Sequence, residues 1–166
     1  MQKEEVIDAV RDWFDEEGYQ HEYNAEREFL RSGFTLQCKL RNVRIFINFH
    51  DNGYNVLAVS PVQGDPKNLE ELMRYLHMAN YGLKSGNFEL DVRDGEVRYK
   101  CWVETDDLES LPTGLIESSV IIPCSMFDRY GDGIAALCMG FSDADTEIRK
   151  VEGGDDEDED GGEGEG

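Results

Sequence analysis

The chain has 166 residues, of which 37 are Asp or Glu and 16 are Lys or Arg, and its formal net charge at pH 7 is −21. This length suits a single domain. Binding to nucleic acid without sequence preference depends on Lys and Arg contacts to phosphates, and anionic membranes attract the same residues. We therefore expect neither a nucleic-acid nor a membrane partner.

Much of the acidity lies at the C-terminus. Residues 152–166 (EGGDDEDEDGGEGEG) carry nine carboxylates and no basic or apolar side chain, which leaves 28 acidic and 16 basic residues before them. A segment of this composition cannot bury enough apolar surface to offset the entropy cost of ordering it. The sequence predicts one domain over residues 1–150, followed by a disordered acidic tail over residues 151–166.

The cellular compartment is predicted from hydropathy and cysteine usage. No segment approaches the roughly 20 apolar residues of a membrane span, and the first ten residues (MQKEEVIDAV) lack a hydrophobic signal region. The four cysteines are far apart in sequence and form no CxxC pair: Cys38, Cys101, Cys124 and Cys138. We predict free thiols in a reducing compartment, and hence a cytoplasmic protein.

Two periodicities divide the chain into helices and strands. Helical spacing of apolar residues predicts a first helix ending near Gly18, a second from Leu69 to about Gly82, and a long apolar helix over about residues 113–139. Period-two alternation predicts strands at 34–41, 43–50, 54–62, 88–92 and 97–103, with turn residues at 51–53 and 94–95. The element order α-β-β-β-α-β-β-α predicts an α+β fold of two layers, an antiparallel sheet with helices on one face.

Two segments carry a resemblance to a known family. Residues 72–103 (LMRYLHMANYGLKSGNFELDVRDGEVRYKCWV) and residues 127–137 (FDRYGDGIAAL) resemble the YbjN-like family, described as bacterial sensory transduction regulators. The resemblance extends in pattern over about residues 3–140, and Pro123 and the acidic tail depart from it. It implies a fold similar to that of type III secretion chaperones, protein binding and dimerisation, but little chemistry.

The residues do not indicate catalysis, a cofactor or a metal site. His21, His50 and His77 are isolated, whereas structural zinc sites usually show close pairs of ligands. The segment 128–133 (DRYGDG) lacks the third and twelfth ligands of a calcium loop, so we interpret it as a turn. No GxSxG, HExxH or P-loop motif is present. We therefore predict a non-enzymatic protein.

The alternation also predicts which side chains the helices leave uncovered. If Ile45 and Ile47 face the helices, Phe46 faces the other way, and Trp102 projects outward beside two bases. Exposed apolar patches with a polar rim mark protein interfaces. The predicted partner-binding residues are Phe46, Leu57, Arg98, Lys100 and Trp102. The partner is a client polypeptide or a second copy of the chain, and the acidity suits a basic client.

Three alternatives remain open at this point. Residues 104–112, or the segment after Gly140, could fold over the aromatic pair, or the strand register could differ by one residue. A different class of function is a sensory regulator that binds a small ligand near His77, Asn80 and Tyr81. Such a pocket would need room among Leu76, Phe88 and the last helix.

Overall fold

The computed structural model describes residues 1–153 and contains one six-stranded antiparallel sheet with four helices. The elements in chain order are α1 (Lys3–Glu16), β1 (His21–Asn24), β2 (Phe29–Thr35), β3 (Asn42–His50), β4 (Gly53–Gln63), α2 (Leu69–Tyr81), β5 (Asn87–Leu90), β6 (Glu96–Glu104), α3 (Thr113–Cys138) and α4 (Ala144–Glu152). The strand order across the sheet is β1-β2-β3-β4-β6-β5. The predicted α+β class is confirmed.

The core lies between one face of the sheet and the helices. Alternate residues of the central strands are fully buried, among them Ile45, Ile47, Tyr54 and Tyr99. They join the buried sides of all four helices in a single core. The helices therefore cover one face of the sheet, and we call the opposite face the outer face. No helix within residues 1–153 combines the length and the apolar character needed to cross a bilayer.

The structure adds a strand and a helix that the periodicity did not predict. Strand β1 has only four residues (HEYN), too few for an alternation to stand out. Helix α4 is also short, and Asp143 caps it by accepting a hydrogen bond from the Thr146 backbone N–H at 2.9 Å. Tertiary contacts stabilise it, because Arg74 of α2 donates two hydrogen bonds of 2.9 Å to Asp145. Helix α4 runs to Glu152, past the predicted domain boundary at residue 150, and the remainder of the predicted tail lies outside the described residues.

The predicted strand at 34–41 is wrong from residue 36 onward. Strand β2 ends at Thr35, and residues 36–41 form a turn in which Arg41 has a φ of +69°. Two carboxylates of α3 hold this turn. Asp128 accepts from the backbone N–H groups of Gln37 (2.6 Å) and Cys38 (3.2 Å), and Asp132 accepts from that of Lys39 (2.7 Å). Alternate residues of the turn remain buried, which explains why it resembles a strand in sequence.

The segment 128–133, which lies within the predicted last helix and was interpreted as a turn at its interior or kink, continues α3 as helix. Its two glycines allow close packing, since a Cβ at Gly131 would come within 2.6 Å of the Cys38 sulfur. A Cβ at Gly133 would come within 2.4 Å of the Tyr75 hydroxyl. The FDRYGDG segment of α3 thus packs against the turn after β2 and against α2.

Candidate binding surfaces

The outer face brings together the five residues predicted to bind a partner. Phe46 of β3 lies opposite Leu57 of β4, which in turn lies opposite Lys100 of β6. In neighbouring rows, Trp102 lies opposite Asn55 and Arg98 lies opposite Val59. Side chains of directly opposed residues project from the same face of a sheet. The predicted division of these strands into inward-facing and outward-facing residues is therefore the observed one.

Large apolar side chains from neighbouring strands form a strip across the outer face. Trp102 is 45% exposed, while Phe46 and Leu57 are half-buried. Phe29 of β2 extends the strip, with its ring centroid 6.4 Å from that of Phe46. The alternation pattern did not identify Phe29, because the strand predicted at 34–41 begins five residues after the start of β2. We call Phe29, Phe46, Leu57 and Trp102 the outer-face strip.

Trp102 is held in place by its neighbours in the sheet. Its indole N–H donates to the Glu104 carboxylate at 2.9 Å, and its ring centroid lies 5.5 Å from that of His50. The indole also packs over Gly53, where a Cβ would lie 3.0 Å from Cζ2 of the indole and 2.2 Å from the Val103 carbonyl oxygen. Because any larger residue at position 53 would clash, glycine there makes the position of the indole possible.

The expected basic rim is largely ion-paired. Glu89 of β5 accepts from Arg98 Nε at 2.7 Å and lies 2.5 Å from Lys100 Nζ. Burial acts to raise the pKa of Glu89, but hydrogen bonds from Lys100 and Arg98 prevail and hold it below its ordinary value. Within residues 1–153, Arg44 forms no ion pair and lies over the Phe46 ring at 6.0 Å. The strip is therefore bordered by nearly balanced charges.

Neither segment that could have covered the strip does so. The chain after Gly140 forms α4, whose buried residues Ala144 and Ile148 belong to the core on the helix side. In the loop 105–112, Leu108 and Leu111 pack against that same core. The outer-face strip therefore has no described element over it.

The alternative ligand residues, His77, Asn80 and Tyr81, lie in different surroundings. His77 is exposed and Tyr81 is 96% exposed. Asn80 is engaged with β5, where it accepts from the Phe88 N–H at 2.7 Å and donates to the Phe88 carbonyl at 3.0 Å. Leu76 and Phe88 are both buried in the core. A ligand at these three residues stays a prediction.

A cavity of about 400 Å³ lies beside this region, between the loop after α2 and helix α3. Its lining residues are Gly82, Leu83, Lys84, Ser85, Tyr99, Ile122, Met126, Arg129, Tyr130 and Glu152. The wall contributed by α3 is mainly apolar, whereas charged side chains come from the loop, α3 and α4. None of the three alternative ligand residues lines it.

The cysteines are buried thiols, and the acidic groups are spread out in the described part of the chain. All four cysteines are free and buried. Burial raises the pKa of Cys101 and Cys138 to about 11 and that of Cys124 to about 12, so these thiols stay protonated at neutral pH. Among residues 1–153, no three His, Cys, Asp or Glu side chains are grouped so that they could hold a metal ion.

The fold defines a small α+β protein in which helices cover one face of an antiparallel sheet. The structure is similar to one described as "Crystal structure of YbjN, a putative transcription regulator from E. coli". The TM-score is 0.59 at 14% identity, over 81% of this chain and 93% of that chain. At this identity the likeness shows a shared fold.

The sequence itself assigns the family. The YbjN family model, described as "Putative bacterial sensory transduction regulator", matches residues 7–134. The chain therefore belongs to the YbjN family. No curated protein matches the chain significantly.

Proposed function

We propose that this protein is a non-enzymatic, cytosolic regulatory module that binds a partner polypeptide across the outer-face strip. The family description as a regulator supports a role in recognition rather than in chemistry. The four buried free cysteines support a reducing compartment. The partner is a protein segment with apolar anchors, supplied by another protein or by a second copy of this chain.

The observation that carries the proposal is the 45% exposure of Trp102 on the outer face, near the end of β6 and past the last residue of that strand that pairs with β5. Tryptophan is among the residues that contribute most to protein interfaces, because it offers a large rigid surface at small entropic cost. Its indole is already oriented by Glu104 and Gly53, so little further ordering is needed on binding. Balanced ion pairs around the strip supply the polar rim that interfaces require.

The test removes the two largest aromatic anchors from the strip. The full chain and the double variant Phe46→Ala/Trp102→Ala are used as baits in the native host, and the affinity of each identified partner is measured. Self-association is measured by light scattering over a range of concentrations. We expect the double variant to weaken partner binding at least ~30-fold, the effect of losing about 2 kcal/mol at an interface. Its thermal midpoint should fall by only a few degrees, because each substitution removes a contact worth about 1 kcal/mol or less.

Tyr81→Ala is the matched control, because it removes an aromatic side chain that is 96% exposed on α2, on the helix side of the molecule. This variant should bind the partner like the parent chain. Equal binding by the double variant would overturn the proposal. A large fall in its thermal midpoint would show instead that Phe46 and Trp102 serve the core.

A further inference from the structure

The strands present charges on the outer face that cancel one another. By their register these are four carboxylates and four basic side chains: Glu22, Glu89, Glu96 and Glu104, and Arg31, Arg44, Arg98 and Lys100. The chain before residue 152 has 28 acidic and 16 basic residues, so its acidic excess lies outside this face. A second copy of the chain can therefore approach the outer face without net repulsion.

Most of these side chains are already paired within the face. The pairs are Glu22 with Arg31, and Glu89 and Glu96 with Arg98 and Lys100. Within residues 1–153, Glu104 has no ion-pair partner and accepts the Trp102 indole N–H at 2.9 Å. Arg44, likewise without an ion pair in this part of the chain, lies over the Phe46 ring at 6.0 Å. Each unmatched charge thus lies beside one of the two large aromatic side chains of the strip.

A partner that covers these aromatic side chains also covers the charges beside them. A charge that loses water and gains no opposite charge costs free energy. The partner must therefore supply a cation near Glu104, at the Trp102 end, and an anion near Arg44, at the Phe46 end. A second copy of the chain carries one of each.

The positions of the four residues in the sheet fit a two-fold contact. Phe46 and Trp102 are two strands apart, and the point midway between them lies on β4, one residue before Leu57. The point midway between Arg44 and Glu104 is the same. In a symmetric dimer, a residue i that contacts residue j of the other copy is matched by the reverse contact. A two-fold axis through this point and parallel to the sheet brings Arg44 of each copy to Glu104 of the other.

We infer that the partner of the outer-face strip is a second copy of this chain. Two reciprocal ion pairs between Arg44 and Glu104 fix the orientation, and Phe46, Leu57 and Trp102 of both copies form the apolar centre between them. This inference rests on the proposed function, because it names the partner of the same strip. Other registers are disfavoured, since they leave both charges covered and unmatched.

Charge reversal tests the reciprocal contact. The full chain should sediment as a dimer at micromolar concentration in analytical ultracentrifugation. Arg44→Glu and Glu104→Arg should each raise the dimer dissociation constant at least ~100-fold, because each dimer contains the contact twice and like charges then meet. Lys67→Glu is the matched control, since it makes the same charge change at an exposed position in the turn before α2. It should dimerise like the parent chain.

Mixing the two single variants gives the decisive measurement. In an equimolar mixture of Arg44→Glu and Glu104→Arg, both contacts again join opposite charges, so dimers should form within about 10-fold of the parent affinity. The double variant Arg44→Glu/Glu104→Arg should recover self-association for the same reason. A general loss of stability in either variant could not produce this recovery.

Three outcomes would overturn the inference. They are a full chain that stays monomeric at high concentration, a dimer that neither reversal weakens, and a mixture of the two variants that fails to associate. If the chain is monomeric while another protein is captured through Phe46 and Trp102, the inference fails and the proposed function stands. If neither capture nor self-association depends on these two residues, both fail.

Discussion

The two faces of one sheet differ in how completely their side chains are buried. In β3, Ile45 and Ile47 are fully buried against the helices, while Phe46 between them is half-buried on the outer face. In β6, Tyr99 is fully buried, and Trp102, three residues later on the opposite face, is 45% exposed. The same strands thus present two different surfaces, because alternate residues meet different surroundings. The inner face supplies stability, and the outer face carries the surface that we propose for recognition.

The sharpest test of this division mutates neighbours in one strand. Ile47→Ala should lower the free energy of unfolding by about 2 to 5 kcal/mol, because it leaves a cavity in a packed core. Phe46→Ala should cost only about 1 kcal/mol, the scale of a cross-strand pair. Urea unfolding of both variants measures the difference. Similar losses in the two variants would contradict the division into a structural and a recognition face.

A second prediction concerns the close packing of α3 on the helix side. Gly133→Ala should destabilise the protein by roughly 1 to 3 kcal/mol, because the added Cβ would lie 2.4 Å from the Tyr75 hydroxyl in a fully buried contact. Gly114→Ala, in the same helix with no atom within 4 Å, should be neutral or stabilising. Thermal unfolding measures both. Equal effects would mean that helix propensity, rather than contact with Tyr75, decides the outcome.

A third prediction addresses the turn after β2. Asp128→Ala should cost about 1 to 2 kcal/mol, because the backbone N–H groups of Gln37 and Cys38 lose a charged acceptor. Asp128→Asn should cost less, since its amide oxygen still accepts. Hydrogen exchange at Gln37 and Cys38 reports on the same contacts. Unchanged exchange in Asp128→Ala would show that the turn is held without the carboxylate.

The smallest predicted effect concerns Glu89 at the border of the outer face. The pKa of this carboxyl is held below its ordinary value in the folded protein, so its stabilising contribution is present above about pH 4.3 and is lost as pH falls through the folded pKa. Glu89→Gln should therefore lower stability by less than about 1 kcal/mol at pH 7, because the ion pairs are partly exposed.

Urea unfolding at pH 7, 5 and 3.5 checks this dependence. The difference between the parent chain and Glu89→Gln should shrink toward pH 3.5, because the carboxyl of the unfolded chain, whose pKa is not lowered, takes up a proton first. Glu26→Gln, at an exposed position between β1 and β2, is the control and should change little with pH. A difference for Glu89→Gln that grows at low pH would contradict the assigned direction.

The sequence predicts structure correctly where the pattern of apolar residues depends on local backbone geometry. Period-two alternation predicted that Phe46, Leu57 and Trp102 share one face, because successive side chains of a strand project to opposite sides. It misjudged residues 36–41, whose alternation has another cause. There, buried and exposed residues alternate within a turn whose backbone N–H groups are bonded by Asp128 and Asp132, about ninety positions away.

The amino-acid sequence by itself determined the fold class, the family pattern and the orientation of the outer-face residues. These features follow from periodicities of a few residues and from glycines and turns beside them. Only the tertiary structure decided that Glu89 pairs with both Arg98 and Lys100, and that Asn80 fastens a loop. It also decided that Lys84 meets Met126 and Glu152 around a cavity. The physical reason is that these contacts join residues from separate elements, whose spacing in sequence carries no signal of their proximity.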